Sequence, residues 1–244
     1  MRLLSRSADV AARSAKPLFR AIKVKRRPPA TQGALMDLPE ATPPTSARRD
    51  LDFYPTGQPD AFRALLAADG ERIASLGGLV WEPAVGDGAL AREMLGAGLR
   101  VIGSDVEDRG WSGTWFLDFM RVPASPAPVI ITNPPYSEIN ARDGHGRWLR
   151  HTLELPGWRY CALLLSWDWP AARANGLGAL LDLHPFTRAY LMRWKLDFTG
   201  EGSPPQRNGW FVWDRDDVRA SDGSAPHPDF CWLDRADNRQ RRLL

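Results

Sequence analysis

The chain's pattern predicts an α/β fold: a doubly wound, mostly parallel sheet with a terminal antiparallel hairpin. Three observations point there. From about Asp50 onward, short β-branched or apolar runs alternate with longer helical stretches, the signature of parallel strands joined by crossover helices. After the first of those runs, Gly86 and Gly88 fall where a strand must turn sharply into a helix. The last two apolar runs are separated only by a short Gly/Pro-rich loop, which suits a hairpin and leaves no room for a crossover.

Taken in order, residues 1–48 form a basic, Pro-rich leader expected to be disordered and set aside from the fold. Residues 1–50 carry 11 Lys/Arg against 4 Asp/Glu, leaving 21 against 25 for residues 51–244. The run Lys23, Lys25, Arg26, Arg27 reads first as a solvated arm, although such a run also neutralises nucleic-acid phosphates. Arg2, Arg6, Arg13 and Arg20 among small and apolar residues give the leader a second reading as an organelle transit peptide. Pro28, Pro29, Pro39, Pro43 and Pro44 deny the segment up to Ser46 a helix or central strand.

The catalytic domain is expected over 49–215. Helices are predicted at Asp60–Leu76, Ala89–Ala97, Arg147–Leu155 and Pro170–Leu183, the last with Pro170 in its first turn. Strands are predicted at Leu79–Pro83, Arg100–Asp105, Val129–Asn133, Tyr160–Trp167, Ala189–Trp194 and Trp210–Asp214, with a further short strand ending near Phe116-Leu117-Asp118-Phe119. Residues 216–244 turn polar, through Ser221-Asp222-Gly223-Ser224 and Pro226-His227-Pro228, and read as a peripheral tail.

Composition narrows the function. No apolar run approaches the roughly 18 residues that cross a bilayer, so no membrane role is expected. Cys161 and Cys231 alone offer neither a disulfide framework nor a zinc knuckle, which suits a reducing, cytoplasmic compartment. No metal site is expected, because His227 and Cys231 lack the other ligands a metal would want. Trp167, Trp194, Trp210 and Trp213 lie in apolar strand patterns and read as packing groups. His145 and His151 flank a helix start and are expected to be exposed. Oligomeric state is not encoded in any feature of the sequence.

Two segments carry chemistry. Glu82-Pro83-Ala84-Val85-Gly86-Asp87-Gly88 lets a ligand approach the backbone closely, and Asp105 at the end of the second strand can accept both hydroxyl hydrogens of a ribose. This pair suits a nicotinamide cofactor and S-adenosylmethionine equally, since Gly86 to Ala91 also satisfies a loose G-x-G-x-x-A pattern. Asp118 can accept from an adenine amino group while Phe119 covers the ring. At the end of the fourth strand, Asn133-Pro134-Pro135-Tyr136 makes a rigid, acceptor-rich turn. The Asn133 side-chain oxygen and the Pro134 carbonyl can each take one hydrogen of an NH2 group, and Tyr136 offers a face for stacking. Such a turn suits an amino group whose lone pair is delocalised into an aromatic ring or amide.

In these motifs and their order, roughly from Asp52 to Asp214, the sequence resembles the N6-adenine-type DNA methyltransferases, closest to phage- or prophage-encoded members. The resemblance implies a class I methyltransferase, a Rossmann-like fold with S-adenosylmethionine as cofactor and single- or double-stranded DNA as substrate, in a bacterial or phage-infected cytoplasm. Asp52-Phe53-Tyr54-Pro55-Thr56 is similar to a segment lining the methionine end of the cofactor, which assigns Tyr54 and Thr56 there. The chain has Gly57 where that segment commonly continues with Pro. Glu82, Pro83, Ala84, Gly86 and Gly88 would form the cofactor loop, Asp105 would hold the ribose, and Asp118 and Phe119 would hold the adenine. Asn133, Pro134, Pro135 and Tyr136 would be the catalytic set. Sequence-specific members usually carry a sizeable target-recognition domain, whereas here a short tail follows the core.

Three alternatives stay open at this level. In related enzymes the same loop receives the amide of a protein glutamine or an RNA base, and the acidic balance of residues 51–244 favours such acceptors. A nicotinamide oxidoreductase leaves Asn133-Pro134-Pro135-Tyr136 without a role. A catalytically silent nucleic-acid-binding domain leaves intact Gly86, Gly88, Asn133 and Tyr136 without one.

Overall fold

The computed structural model describes residues 59–139, 146–171, 177–198, 206–217 and 228–235. The leader lies outside them, as do Tyr54 and Thr56. The elements are α1 (Asp60–Ser75), β1 (Leu79–Glu82), α2 (Ala89–Gly96), β2 (Arg100–Asp105), β3 (Thr114–Phe116), β4 (Val129–Thr132), α3 (Tyr136–Ile139), α4 (Arg147–Glu154), β5 (Tyr160–Ser166), α5 (Leu177–Leu183), β6 (Arg188–Met192), β7 (Asn208–Asp214) and β8 (Asp229–Leu233). They build one eight-stranded sheet in the order β3-β2-β1-β4-β5-β7-β6-β8. Neighbours from β3 to β5 are parallel, β7 is antiparallel to both β5 and β6, and β8 is parallel to β6. The order reverses direction between β1 and β4, and α/β folds place ligands in the crevice beyond the strand ends at such a switch point.

Both faces of the central strands are covered, which explains their unbroken apolar runs. Alternate residues divide between two cores. Trp81, Ile130, Cys161, Leu163, Leu165 and Phe211 pack with Trp148, Leu149 and Leu153 of α4 and Leu177 and Leu180 of α5. Val80, Val129, Ile131, Ala162, Leu164 and Trp210 pack with Phe62, Leu65 and Ile73 of α1 and Leu90 and Met94 of α2. Cys161 is fully buried, and burial pushes its thiol well above the usual range. Among the described residues no helix is long and apolar enough to cross a membrane.

The predicted architecture is the observed one, with differences at the margins. The stretch predicted as a helix from Pro170 to Leu183 instead opens with a 3-10 turn, Trp169–Ala171, and its α-helix is α5; residues 172–176 lie outside the described residues. The hairpin strands are displaced by the ladder: β6 ends at Met192, two residues short of Trp194, and β7 starts at Asn208, which pairs with Ser166 of β5. A strand missing from the sequence reading, β8, lies within the segment read as a tail. Its register sets Phe230 beside Ala189 and Trp232 beside Leu191, so it extends the sheet at one edge.

Candidate functional site

The carboxyl ends of β1, β2 and β4 and the amino end of β7 meet at one edge of the sheet, and each brings a polar group. At the end of β1 the chain turns through Pro83, Ala84 and Val85 into α2. The Val85 N–H returns to the Ser104 carbonyl of β2 at 3.0 Å, and the Gly88 N–H closes a tight turn on the Val85 carbonyl at 2.9 Å. Gly86 and Gly88 adopt φ of 56° and 80°, a left-handed conformation that side chains resist. The turn is tied directly to the next strand, because the Gly86 N–H donates to Asp105 Oδ2 at 2.9 Å. Asp105 Oδ1 accepts from the Glu107 N–H at 3.1 Å. The predicted glycine loop and ribose carboxylate thus sit together. A carboxylate offers about four acceptor positions, and the two backbone bonds leave room for further donors.

Glu82, the last residue of β1, is 2% exposed. Its Oε2 has no hydrogen-bond partner among the described residues, while the carboxyl also accepts from the Ala91 backbone in the first turn of α2. Burial pushes its pKa well above the ordinary 4.5, and the neighbouring Asp87 and Asp105 carboxylates push it further. A buried acceptor without a partner beside an anionic cluster fits a ligand that brings positive charge. The ammonium of S-adenosylmethionine has that charge, and its ribose matches Asp105, so the residues present fit this cofactor.

A pH dependence follows from Glu82. Its folded-state value lies above its unfolded one, so its stabilising contribution is complete below about pH 4.5. Above that the unfolded chain releases a proton that the folded chain retains, and stability falls by up to about 1.4 kcal/mol per pH unit until the folded carboxyl ionises. Glu82→Gln should flatten that slope in urea titrations of the ligand-free protein run from pH 4 to pH 8, and should weaken cofactor binding over the same range. Equal slopes in the two proteins would show that Glu82 does not titrate in this way.

The expected adenine pair is divided. The Asp118 side chain is turned onto its own backbone, accepting from the Met120 N–H at 3.0 Å and capping the 3-10 turn Phe119–Arg121, and it pairs with Arg121 at 3.4 Å. Asp118 remains exposed. Phe119 is buried in the core, stacked on Trp148 with ring centroids 4.3 Å apart, 5.4 Å from Trp81 and edge-on to His151 at 4.9 Å. His151 is therefore half-buried rather than exposed, because α4 turns it toward that ring. Val106, next in sequence to Asp105, and Phe116, opposite it in the β2–β3 register, are both mostly exposed.

Asn133-Pro134-Pro135-Tyr136 emerges from β4 on the same edge. Asn133 is half-buried and Pro134 buried. The Pro135 carbonyl accepts from the Glu138 and Ile139 N–H groups at 3.0 and 3.2 Å, so it is committed to α3, which Tyr136 begins. Two prolines stiffen the chain just where it leaves the sheet. The Tyr136 hydroxyl accepts from Asn208 Nδ2 at 3.1 Å, and burial pushes its pKa above the usual range, opposed by that hydrogen bond. It therefore stays protonated and cannot act as a base at neutral pH. Sequence reasoning missed Asn208, since nothing local marks its role: it reaches Tyr136 because the hairpin returns β7 beside β5. Among the described residues no cluster of three or more His, Cys, Asp or Glu groups could hold a metal ion.

No protein-family model matches the sequence, and no curated protein sequence matches it. Solved structures do match the fold. A protein described as a class I S-adenosylmethionine-dependent methyltransferase, from Listeria monocytogenes, is similar with a TM-score of 0.50 at 13% identity, over 73% of this chain and 65% of that one. This chain therefore spans less than two thirds of that protein's length. A protein described as an RNA methyltransferase, from Pyrococcus horikoshii, gives a TM-score of 0.46 at 13% identity, over 63% of this chain and 82% of that one. A modification subunit of a type I restriction enzyme from Vibrio vulnificus gives 0.45 at 13% identity, over 63% and 43%. The mostly parallel eight-stranded sheet with its antiparallel hairpin matches the fold of class I methyltransferases.

Proposed function

We propose that the protein transfers the methyl group of S-adenosylmethionine to an exocyclic amino nitrogen, N6 of adenine in DNA. The observation that carries this reading is the position of Asn133-Pro134-Pro135-Tyr136. It leaves β4, the direct sheet neighbour of β1, whose glycine turn is hydrogen-bonded to Asp105. The glycine turn and the acceptor-rich, proline-stiffened loop thus leave neighbouring strands at the same edge of the sheet, which supports a nucleoside site beside a reacting amino group. Bound S-adenosylmethionine supplies an electrophilic methyl group on sulfur.

Within the chain, Asp105 would hold the ribose hydroxyls, and the buried Glu82 at the end of β1 would face positive charge. Asn133 and the Pro134 carbonyl would take the two hydrogens of the amino group. Held in this way, the nitrogen lone pair is drawn out of conjugation with the ring and aimed at the methyl carbon. The same two acceptors stabilise the positive charge that grows on nitrogen before a proton is released. No strong base is required, which agrees with a Tyr136 hydroxyl held protonated. The Tyr136 ring, steadied by Asn208, would stack on the base. Flipping a base from a duplex costs a few kcal/mol, and stacking returns roughly 1–3 kcal/mol, so single-stranded DNA should be methylated at least as well as duplex.

The test is transfer of labelled methyl from S-adenosylmethionine to single- and double-stranded DNA, with RNA and protein acceptors in parallel. Label in DNA recovered as N6-methyladenine supports the reading. Label only in RNA or a protein glutamine keeps the methyltransferase and replaces its substrate. Cofactor binding with no transfer to any acceptor points to a silent binding domain.

A further inference from the structure

Beside the glycine turn a single side chain lies against three glycines. Trp111, half-buried in the β2–β3 connection, lays its indole where side chains at Gly88, Gly103 and Gly113 would stand. A Cβ at Gly88 would lie 2.3 Å from Trp111 Cδ1, one at Gly103 only 2.0 Å from Cζ3, and one at Gly113 3.0 Å from Cη2. Val85 Cγ2 is 2.8 Å from that same Gly103 position, so the ring also borders the glycine turn. A glycine inside a strand often marks such a close approach, and Gly103 is the residue of β2 opposite Glu82 of β1. The Thr114 N–H and hydroxyl both return to the Trp111 carbonyl, at 3.1 and 2.7 Å, which fixes the residue at the start of β3.

We infer that Trp111 is the positioning residue for the nucleoside half of the cofactor site: its indole, seated in the Gly88–Gly103–Gly113 slot, sets the spacing between the glycine turn and the β2–β3 connection. The inference rests on the proposed S-adenosylmethionine reading and adds a residue to it. The close approach permitted at Gly88 is used by the protein's own indole, and through it the turn that presents Gly86 to Asp105 is braced. Trp111 acts through these backbone segments. Loss of the indole should let the two segments shift, and displacement by about 1 Å is enough to cost binding and rate heavily.

The experiment is a mutant cycle read by binding. Dissociation constants for S-adenosylhomocysteine and for 5′-methylthioadenosine, which lacks the methionine end, are measured by calorimetry for wild type, Trp111→Ala, Trp111→Phe, Gly103→Ala and the Gly103→Ala/Trp111→Ala double variant, with thermal unfolding of each in parallel. Trp111→Ala should weaken both ligands by about tenfold or more, and Trp111→Phe, which still fills most of the slot, should recover most of the loss. Gly103→Ala should weaken them too, because its methyl collides with the ring. In the double variant that methyl no longer meets the indole and only Val85 Cγ2 remains close to it, so the combined loss should be smaller than the sum of the two single losses. In methyl-transfer assays KM for the cofactor should rise by a larger factor than kcat falls. Unchanged binding by folded Trp111→Ala, or additive losses in the double variant, would overturn the inference while leaving the methyltransferase reading intact. If wild type itself binds neither ligand, the cofactor reading fails and the inference with it.

Discussion

Asn133→Ala should reduce methyl transfer by about a hundredfold to a thousandfold while the protein still binds cofactor, the scale seen when one preorganised hydrogen-bonding group is removed from a reacting centre. Asn133 sits immediately beyond β4 and ahead of two prolines that restrict the turn, and Pro135 gives its carbonyl to α3. That leaves the Asn133 amide oxygen and the Pro134 carbonyl as the acceptors the turn can present. Without the Asn133 oxygen, one substrate hydrogen loses its acceptor and the lone pair is no longer aimed. The loss should fall on kcat, since the interaction strengthens as charge develops on nitrogen. S-adenosylhomocysteine affinity should stay within about threefold of wild type, because Asp105 and the glycine turn belong to other strands. A variant that transfers methyl at the wild-type rate would remove Asn133 from the chemistry.

Asp69→Ala should lower the folding free energy by about 3–5 kcal/mol. Asp69 of α1 is 6% exposed. Its two oxygens accept from the hydroxyls of Tyr160 on β5 and Tyr190 on β6, each at 2.8 Å, and Arg188 Nε lies 3.8 Å away. Burial, reinforced by the carboxylate, pushes both tyrosine hydroxyls above their usual range, so they remain donors. Arg188 also donates to Asp214 at 3.0 Å, and Asp214 accepts two bonds from Arg72 of α1 at 2.9 and 2.8 Å. One network thus fastens the first helix to three strands far along the chain. Removing the carboxylate strands two buried hydroxyls and one nitrogen of a half-buried cation. Asp69→Asn keeps one acceptor and should lose about half as much. Urea unfolding with an unchanged m-value is the measurement, and a loss under about 1 kcal/mol would show the network to be hydrated and weak.

Much of this was legible in the sequence because it is written in local pattern. Alternating apolar runs and helical stretches announce a doubly wound sheet whatever the loops do, since strands covered on both faces must be apolar throughout. The turn at Gly86 and Gly88 was legible because positive φ selects glycine, and Asn133-Pro134-Pro135-Tyr136 because two prolines after a strand leave few conformations. Other features depend on partners distant in the chain. The stretch predicted as a helix from Pro170 opens differently because Pro170 is as compatible with a 3-10 turn as with a first helical turn. β8 was hidden because its segment is short and lies among polar, turn-forming residues; it becomes a strand only when the edge of β6 is present to pair with it.

Within the site the division is the same. Residue type and order place Glu82, Gly86, Gly88, Asp105 and the Asn133 loop at or just beyond strand ends, which the sheet brings to one edge. Only the tertiary structure turned Asp118 onto its own backbone, sank Phe119 between Trp81 and Trp148, brought Asn208 to Tyr136 and laid Trp111 across three glycines. Local sequence sets backbone conformation and the alternation of faces, whereas which side chain fills the space beside a glycine or answers a hydroxyl is decided by long-range packing.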